Sequence, residues 1–218
     1  MSNKSKHKIF VSGSTGYIGT HLIPKLLENG NEVVALVRKG SENKVDKRAK
    51  IVFGNALDSI SIKGCLGNCD TFVQLIGTSH PSPLKARQFN DVDLKSVCES
   101  LKAIKNSKIR HYIYMSVAHP APVMKSYWQI RAKAEELIKN SKMKATILRP
   151  WYVLGPGHYW PYLILPFYKI AEIIPATRET AKRLSPVKLS QMVDALAYAA
   201  ENPPENVKII QVFEIKKY

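Results

Sequence analysis

Ser12-Gly13-Ser14-Thr15-Gly16-Tyr17-Ile18-Gly19 is a Gly-x-x-Gly-x-x-Gly turn, and its two flanks decide the fold. The apolar run 9–12 precedes it. An amphipathic stretch, 17–28, follows it and places Ile18, Leu22 and Leu26 on one stripe, with Gly30 as the stop and Pro24 expected to kink it. The order is therefore strand, tight turn, helix. In such a turn Gly13 permits the reversal, Gly16 lets another group approach the backbone, and Gly19 lets the helix pack closely on the sheet.

The same alternation runs outward along the chain. Short apolar runs stand at 32–37, 50–53, 71–76, 111–116 and 145–148, with a last strand expected at 209–215. They are continuous rather than alternating, as in parallel strands covered on both faces. Helices are expected at 92–105, capped by Asp91 or Asp93, at 127–140 burying Ile130, Ala134, Leu137 and Ile138, and at 189–201 burying Leu189, Met192, Val193, Leu196 and Ala200. Strand–helix alternation implies right-handed crossovers and an α/β, doubly wound parallel sheet. The reading is one domain over 1–218, with 151–188 as a small lid region on the substrate side.

A glycine turn between the first strand and the first helix of such a sheet is a dinucleotide-binding fingerprint. The pyrophosphate meets the N–H groups at the helix N-terminus, so Gly13, Ser14, Thr15, Gly16, Tyr17, Ile18 and Gly19 are candidate cofactor contacts. The second strand ends in Val37-Arg38-Lys39-Gly40, where NAD-preferring sites carry Asp or Glu for the ribose 2′-hydroxyl. Arg38 and Lys39 suit a 2′-phosphate instead, because the arginine fork matches phosphate geometry. The expected cofactor is NADP(H), with NAD as the other reading.

Composition narrows the rest. The 218 residues are 45% hydrophobic, enough to bury a core, and the net charge is +16. Lys and Arg are spread along the chain without a nucleic-acid motif, so no specific nucleic-acid partner is expected. Cys65, Cys69 and Cys98 form no paired metal-ligand spacing, and no metal is expected. Residues 1–8 are polar and basic with no signal-length apolar run. The most apolar stretch, 160–176, is interrupted by Pro161, Pro166, Lys169 and Glu172. A cytoplasmic protein is the expectation.

Several segments together resemble the extended-to-atypical short-chain dehydrogenase/reductase superfamily. They are the glycine turn, Phe53-Gly54-Asn55-Ala56-Leu57-Asp58, Tyr114-Met115-Ser116, Tyr127-Trp128-Gln129-Ile130-Arg131, and Leu148-Arg149-Pro150-Trp151-Tyr152-Val153-Leu154-Gly155-Pro156-Gly157. The chain is also similar to NmrA-like proteins and to sugar-nucleotide epimerases. The resemblance implies that Ser116 polarises a substrate carbonyl and Tyr127 passes the proton. It implies a lysine four residues after the tyrosine, binding the nicotinamide ribose and lowering the tyrosine pKa. Here that position is Arg131, which the i, i+4 spacing puts on the same helix face as Tyr127, but which gives up no proton at usable pH. Glu135, one turn on, fits the family pattern. The resemblance also places Asn55 and Ala56 near the adenine, with Asp58 as an alternative, and Gly77 and Pro150 on the nicotinamide side. His80, in the loop after the fourth strand, is a candidate acid/base.

The aromatic segment 160–168, from Trp160 to Tyr168, is the candidate substrate wall, or a peripheral membrane or protein contact. Two functions follow. One is an NADPH-dependent oxidoreductase or isomerase acting on a carbonyl of a small, fairly apolar substrate. The other is a non-catalytic NADP(H)-binding redox sensor or accessory subunit of a larger assembly.

Overall fold

The computed structural model describes residues 6–78, 81–157 and 174–218. Seven parallel strands form one sheet: β1 (Lys8–Ser12), β2 (Glu32–Val37), β3 (Lys50–Phe53), β4 (Thr71–Gln74), β5 (His111–Met115), β6 (Lys144–Arg149) and β9 (Val207–Gln211). Their order is β3-β2-β1-β4-β5-β6-β9. The chain winds outward from β1 to β3, then crosses back to lay β4 on the other side of β1. Strand order therefore reverses between β1 and β4, the crevice where doubly wound sheets take their ligands. A two-stranded parallel pair, β7 (Val153–Leu154) with β8 (Val187–Lys188), lies beside it.

Both faces are covered, which is why the strand runs lack polar alternation. Odd residues of β1, Ile9 and Val11, enter the core under α1 (Gly19–Glu28) and α6 (Leu189–Glu201). Phe10 enters the opposite core, under α2 (Ser59–Cys65), α3 (Lys95–Ile104) and α4 (Lys125–Asn140). The register Phe10↔Phe72↔Tyr112 stacks three rings across β1, β4 and β5, with centroids 5.1 and 5.3 Å apart. The Tyr112 hydroxyl and Ser100 Oγ share a buried hydrogen bond of 2.6 Å.

The structure corrects several expectations. The helix at 92–105 begins upstream, at Ala86, and passes through a π-helical turn, Phe89–Leu94, before α3. Neither Asp91 nor Asp93 caps it, and Asp93 is turned inward and buried. In α4 the inward places fall to Arg131 and Glu135 beside Ala134 and Ile138, so Ile130 and Leu137 are half-buried. The last strand stops at Gln211. Val212 and Ile215 are buried three apart, a helical spacing, and form α7 (Val212–Ile215). Two helices were not legible: α2, capped by the Asp58 side chain on the Ile60 N–H, and α5 (Pro175–Arg183). Helix α1 starts at Gly19 and continues without a break through Pro24.

Candidate functional site

The glycine turn closes over the strand-order reversal. Gly13 has φ +85°, and a Cβ there would stand 2.9 Å from the Leu75 carbonyl carbon. A Cβ on Gly19 would collide with the Gly13 carbonyl oxygen, so helix and turn touch backbone to backbone. Gly16 is the exposed glycine of the three. Ser14 Oγ donates to the Leu36 carbonyl at 2.5 Å and is buried; its hydroxyl ties the turn to β2 rather than facing a ligand. Thr15 is half-buried and Ile18 is buried. Tyr17 packs on the core with its hydroxyl against Gly155 of the loop after β7. Helix α1 has no side-chain N-cap and no acidic residue in its first turn. The Thr20 N–H is taken by the Gly16 carbonyl and the His21 N–H by the Ile18 carbonyl, so the turn itself closes the helix start and no side chain covers the end where a pyrophosphate would sit. The cradle and the uncapped helix fit a dinucleotide.

Arg38 and Lys39 follow β2 and are exposed. Among the described residues neither forms an ion pair. At the end of β3, Asn55 is exposed and its Oδ1 accepts the Leu57 N–H at 3.0 Å, while Ala56 is half-buried. Asp58 serves α2 as its cap, so of the two candidates for the adenine side Asn55 is the one not holding a helix end.

Beyond β4 and β5 the expected catalytic residues are gathered, with the Ser116 hydroxyl and the two Arg131 Nη atoms engaged by the protein. Ser116 Oγ donates to Glu135 Oε1 at 2.6 Å. Glu135 also accepts Arg149 Nε at 3.0 Å and Nη2 at 2.5 Å, and His119 Nε2 lies 3.2 Å away. Burial alone would raise the Glu135 pKa. The hydrogen bonds from His119, Arg149 and Ser116 outweigh it and hold the group at about 2. An ionised carboxylate only accepts, so the Ser116 proton is committed to Glu135. The hydroxyl that the resemblance assigns to a substrate carbonyl is thus directed at Glu135 in this structure.

Arg131 is likewise built in. It is 2% exposed. Its Nη2 lies 2.6 Å from Asp93 Oδ1. Its Nη1 donates to the Met115 carbonyl at 2.9 Å and to the Tyr114 hydroxyl at 3.2 Å. A Cβ on Gly77 would collide with Nη2, so the guanidinium lies flush against that glycine. Burial disfavours the arginine charge, but the surrounding Tyr114, Tyr127 and Asp93 favour it and lift its pKa above the ordinary value. Burial pushes Tyr114 itself up to about 12. Arg131, which the resemblance sets against the ribose, directs its Nη atoms to Asp93, Met115 and Tyr114 in this structure. Tyr127 is half-buried, its ring 5.3 Å from the guanidinium and 5.0 Å from the Phe89 ring. Pro150 is buried, and its carbonyl accepts the Ala118 N–H at 2.8 Å.

Sequence reasoning missed Asp93, Thr78, Arg149 and His119. A signal existed for two of them: an aspartate four residues after a core phenylalanine, and an arginine closing a buried strand, each need a buried partner. His80 and the segment 160–168 lie outside the described residues. Among the described residues no helix is long and apolar enough to cross a membrane, and no group of three or more His, Cys, Asp or Glu residues could hold a metal ion.

Residues 13–156, from the first glycine of the turn to the loop after β7, match the family described as NAD(P)H-binding. The chain belongs to this NAD(P)H-binding family. Among its relatives, the ceramide reductase of Caulobacter vibrioides is 20% identical over 184 residues, 84% of this chain and 57% of that protein. The photosystem II assembly factor Ycf39 of Cyanophora paradoxa is 28% identical over 148 residues, 65% of this chain and 44% of that one. The chain thus spans about half the length of these curated relatives. The UDP-glucose 4-epimerase of Thermotoga maritima superposes with a TM-score of 0.70 at 17% identity, over 96% of this chain and 80% of that structure. That likeness confirms the doubly wound fold.

Proposed function

We propose that this NAD(P)H-binding chain takes NADP(H) and acts through the bound nucleotide as an accessory protein of a larger assembly. The observation that carries the reading is the engagement of the polar groups a reductase would keep free. The Ser116 proton is held by Glu135 and the Arg131 guanidinium by Asp93. The preference for NADP(H) rests on Arg38 and Lys39, exposed after β2. The similarity to a photosystem II assembly factor supports the accessory role. The test is calorimetric titration with NADPH beside turnover on a panel of aldehydes and ketones. Binding without turnover is expected, and turnover abolished by Tyr127→Phe would overturn the reading.

A second reading keeps a specific observation of its own. Tyr127 is half-buried on a guanidinium, and a ceramide reductase is among the relatives. In that reading Tyr127 alone delivers a proton to the carbonyl of a small apolar substrate, and the same Tyr127→Phe experiment decides between the two.

A further inference from the structure

Two buried cations floor the crevice beyond β4, β5 and β6, and each is matched by one buried carboxylate. Arg131 meets Asp93 at 2.6 Å, with side chains 3% and 0% exposed. Arg149 meets Glu135 at 2.5 Å, with side chains 12% and 1% exposed. The second pair sits within the network of Ser116 and His119. The first is made by an unusual local device. The π-helical turn carries Phe89 and Asp93 four residues apart, and they face Tyr127 and Arg131, four apart on α4. A π-turn inserted in a helix re-aims its side chains and is common at functional sites. Here it delivers a carboxylate to the underside of the loop after β4. Asp93 Oδ2 accepts both the Thr78 N–H at 3.0 Å and Thr78 Oγ1 at 2.6 Å, while Oδ1 faces the guanidinium that lies against Gly77.

A nicotinamide dinucleotide changes charge at one end when it is reduced: the oxidised ring is a cation and the reduced ring is neutral. Arg38 and Lys39 would hold the adenosine end on the β2 side and the start of α1 the pyrophosphate, so the nicotinamide end would lie toward the β4–β5 side, where Gly77 and Thr78 are. A lone buried arginine there would repel the oxidised ring, because charges act strongly across a few ångströms of protein.

We propose that Asp93 sets the redox selectivity of the nucleotide site by cancelling the charge of Arg131, so that oxidised and reduced dinucleotides bind alike. The chain then responds to the presence of the nucleotide and not to its redox state, which suits an accessory role rather than a redox sensor. This rests on the reading that the chain binds the dinucleotide.

The experiment measures dissociation constants for NADP+ and NADPH, by calorimetry, on the wild-type chain, Asp93→Asn, Arg131→Gln and the double variant. In the wild type the two constants agree within about threefold. Asp93→Asn leaves a bare cation and raises the NADP+/NADPH ratio about tenfold or more, Arg131→Gln leaves a bare anion and lowers it, and the double variant restores it. The opposite signs keep the test decisive if one single variant fails to fold. If the wild type binds neither form, the nucleotide-binding reading falls and this inference with it. If both forms bind but the wild type already separates them tenfold, or the ratio is the same in every folded variant, the role of Asp93 is overturned and nucleotide binding stands.

Discussion

Single side chains carry the two features on which the proposed function turns. Arg38 is exposed at the end of β2. Removing a charge-assisted phosphate contact costs about 1.5–3 kcal/mol. Arg38→Ala is therefore expected to weaken NADPH by one to two orders of magnitude at about that cost, while NADH is unaffected; equal losses for both nucleotides on calorimetry would refute the 2′-phosphate assignment. Arg131 is the opposite kind of residue, since its surroundings are entirely internal. Truncating one member of a buried pair strands the other charge, at a cost of about 3–5 kcal/mol. Arg131→Ala should lower the free energy of unfolding in urea by that order. An Asp93→Ala, Arg131→Met double variant should recover much of it, because the stranded carboxylate is gone. A loss below about 1 kcal/mol for the single variant would mean the pair is solvated, as surface pairs are.

Elements define what the side chains can do. The β1–turn–α1 unit divides its glycines into two kinds. Gly19 has the Gly13 carbonyl and the Ser14 backbone where a Cβ would go, and backbone does not swing aside. Gly19→Ala should therefore destabilise the chain by about 1–3 kcal/mol or more, the usual cost of overpacking. Gly16 is exposed, and its nearest obstacle is the Gly13 carbonyl oxygen at 3.2 Å. Gly16→Val should keep a native-like circular dichroism spectrum and lose NADPH-induced stabilisation against heat. A Gly16→Val protein that NADPH still protects would move the pyrophosphate away from α1. The π-turn is the second decisive element: with a regular α-helix in its place Asp93 would not keep the position that serves Thr78 and Arg131 together.

At the scale of the whole molecule, His111 and Glu135 tie stability to acid pH. Burial lowers the His111 pKa from 6.5 to about 4, with the nearby His7 adding to the effect. The unfolded chain then binds more protons than the folded one between those values, so stability is lost as pH falls from about 6.5 to 4. Glu135, held at about 2 in the fold against an ordinary 4.5, contributes stability above 4.5 that is lost as pH falls toward 2. The two windows adjoin. Urea unfolding should show a decline of about 2–3 kcal/mol from His111 by pH 4 and a further fall below it, with the growing positive charge of a +16 chain adding to both. In His111→Gln the upper window should vanish while the lower one stays; an unchanged profile in that variant would exclude His111 as its source.

The sequence by itself determined the doubly wound sheet, β2 and β3 at their observed bounds, and α6 with its buried stripe. These follow from periodicity and from glycines at a turn, which are local properties. The i, i+4 spacing put Tyr127 and Arg131 on one helix face, and the resemblance to the short-chain dehydrogenase/reductase superfamily set Ser116 and Glu135 beside them. What those residues do was decided by tertiary structure. Whether Ser116 offers its proton depends on Glu135, whose state depends on Arg149 from another strand. Whether Arg131 reaches outward depends on Asp93, delivered by a π-turn that has no signature in residue spacing. Hydrogen-bond capacity is finite, and its distribution among buried groups is settled by partners distant in sequence.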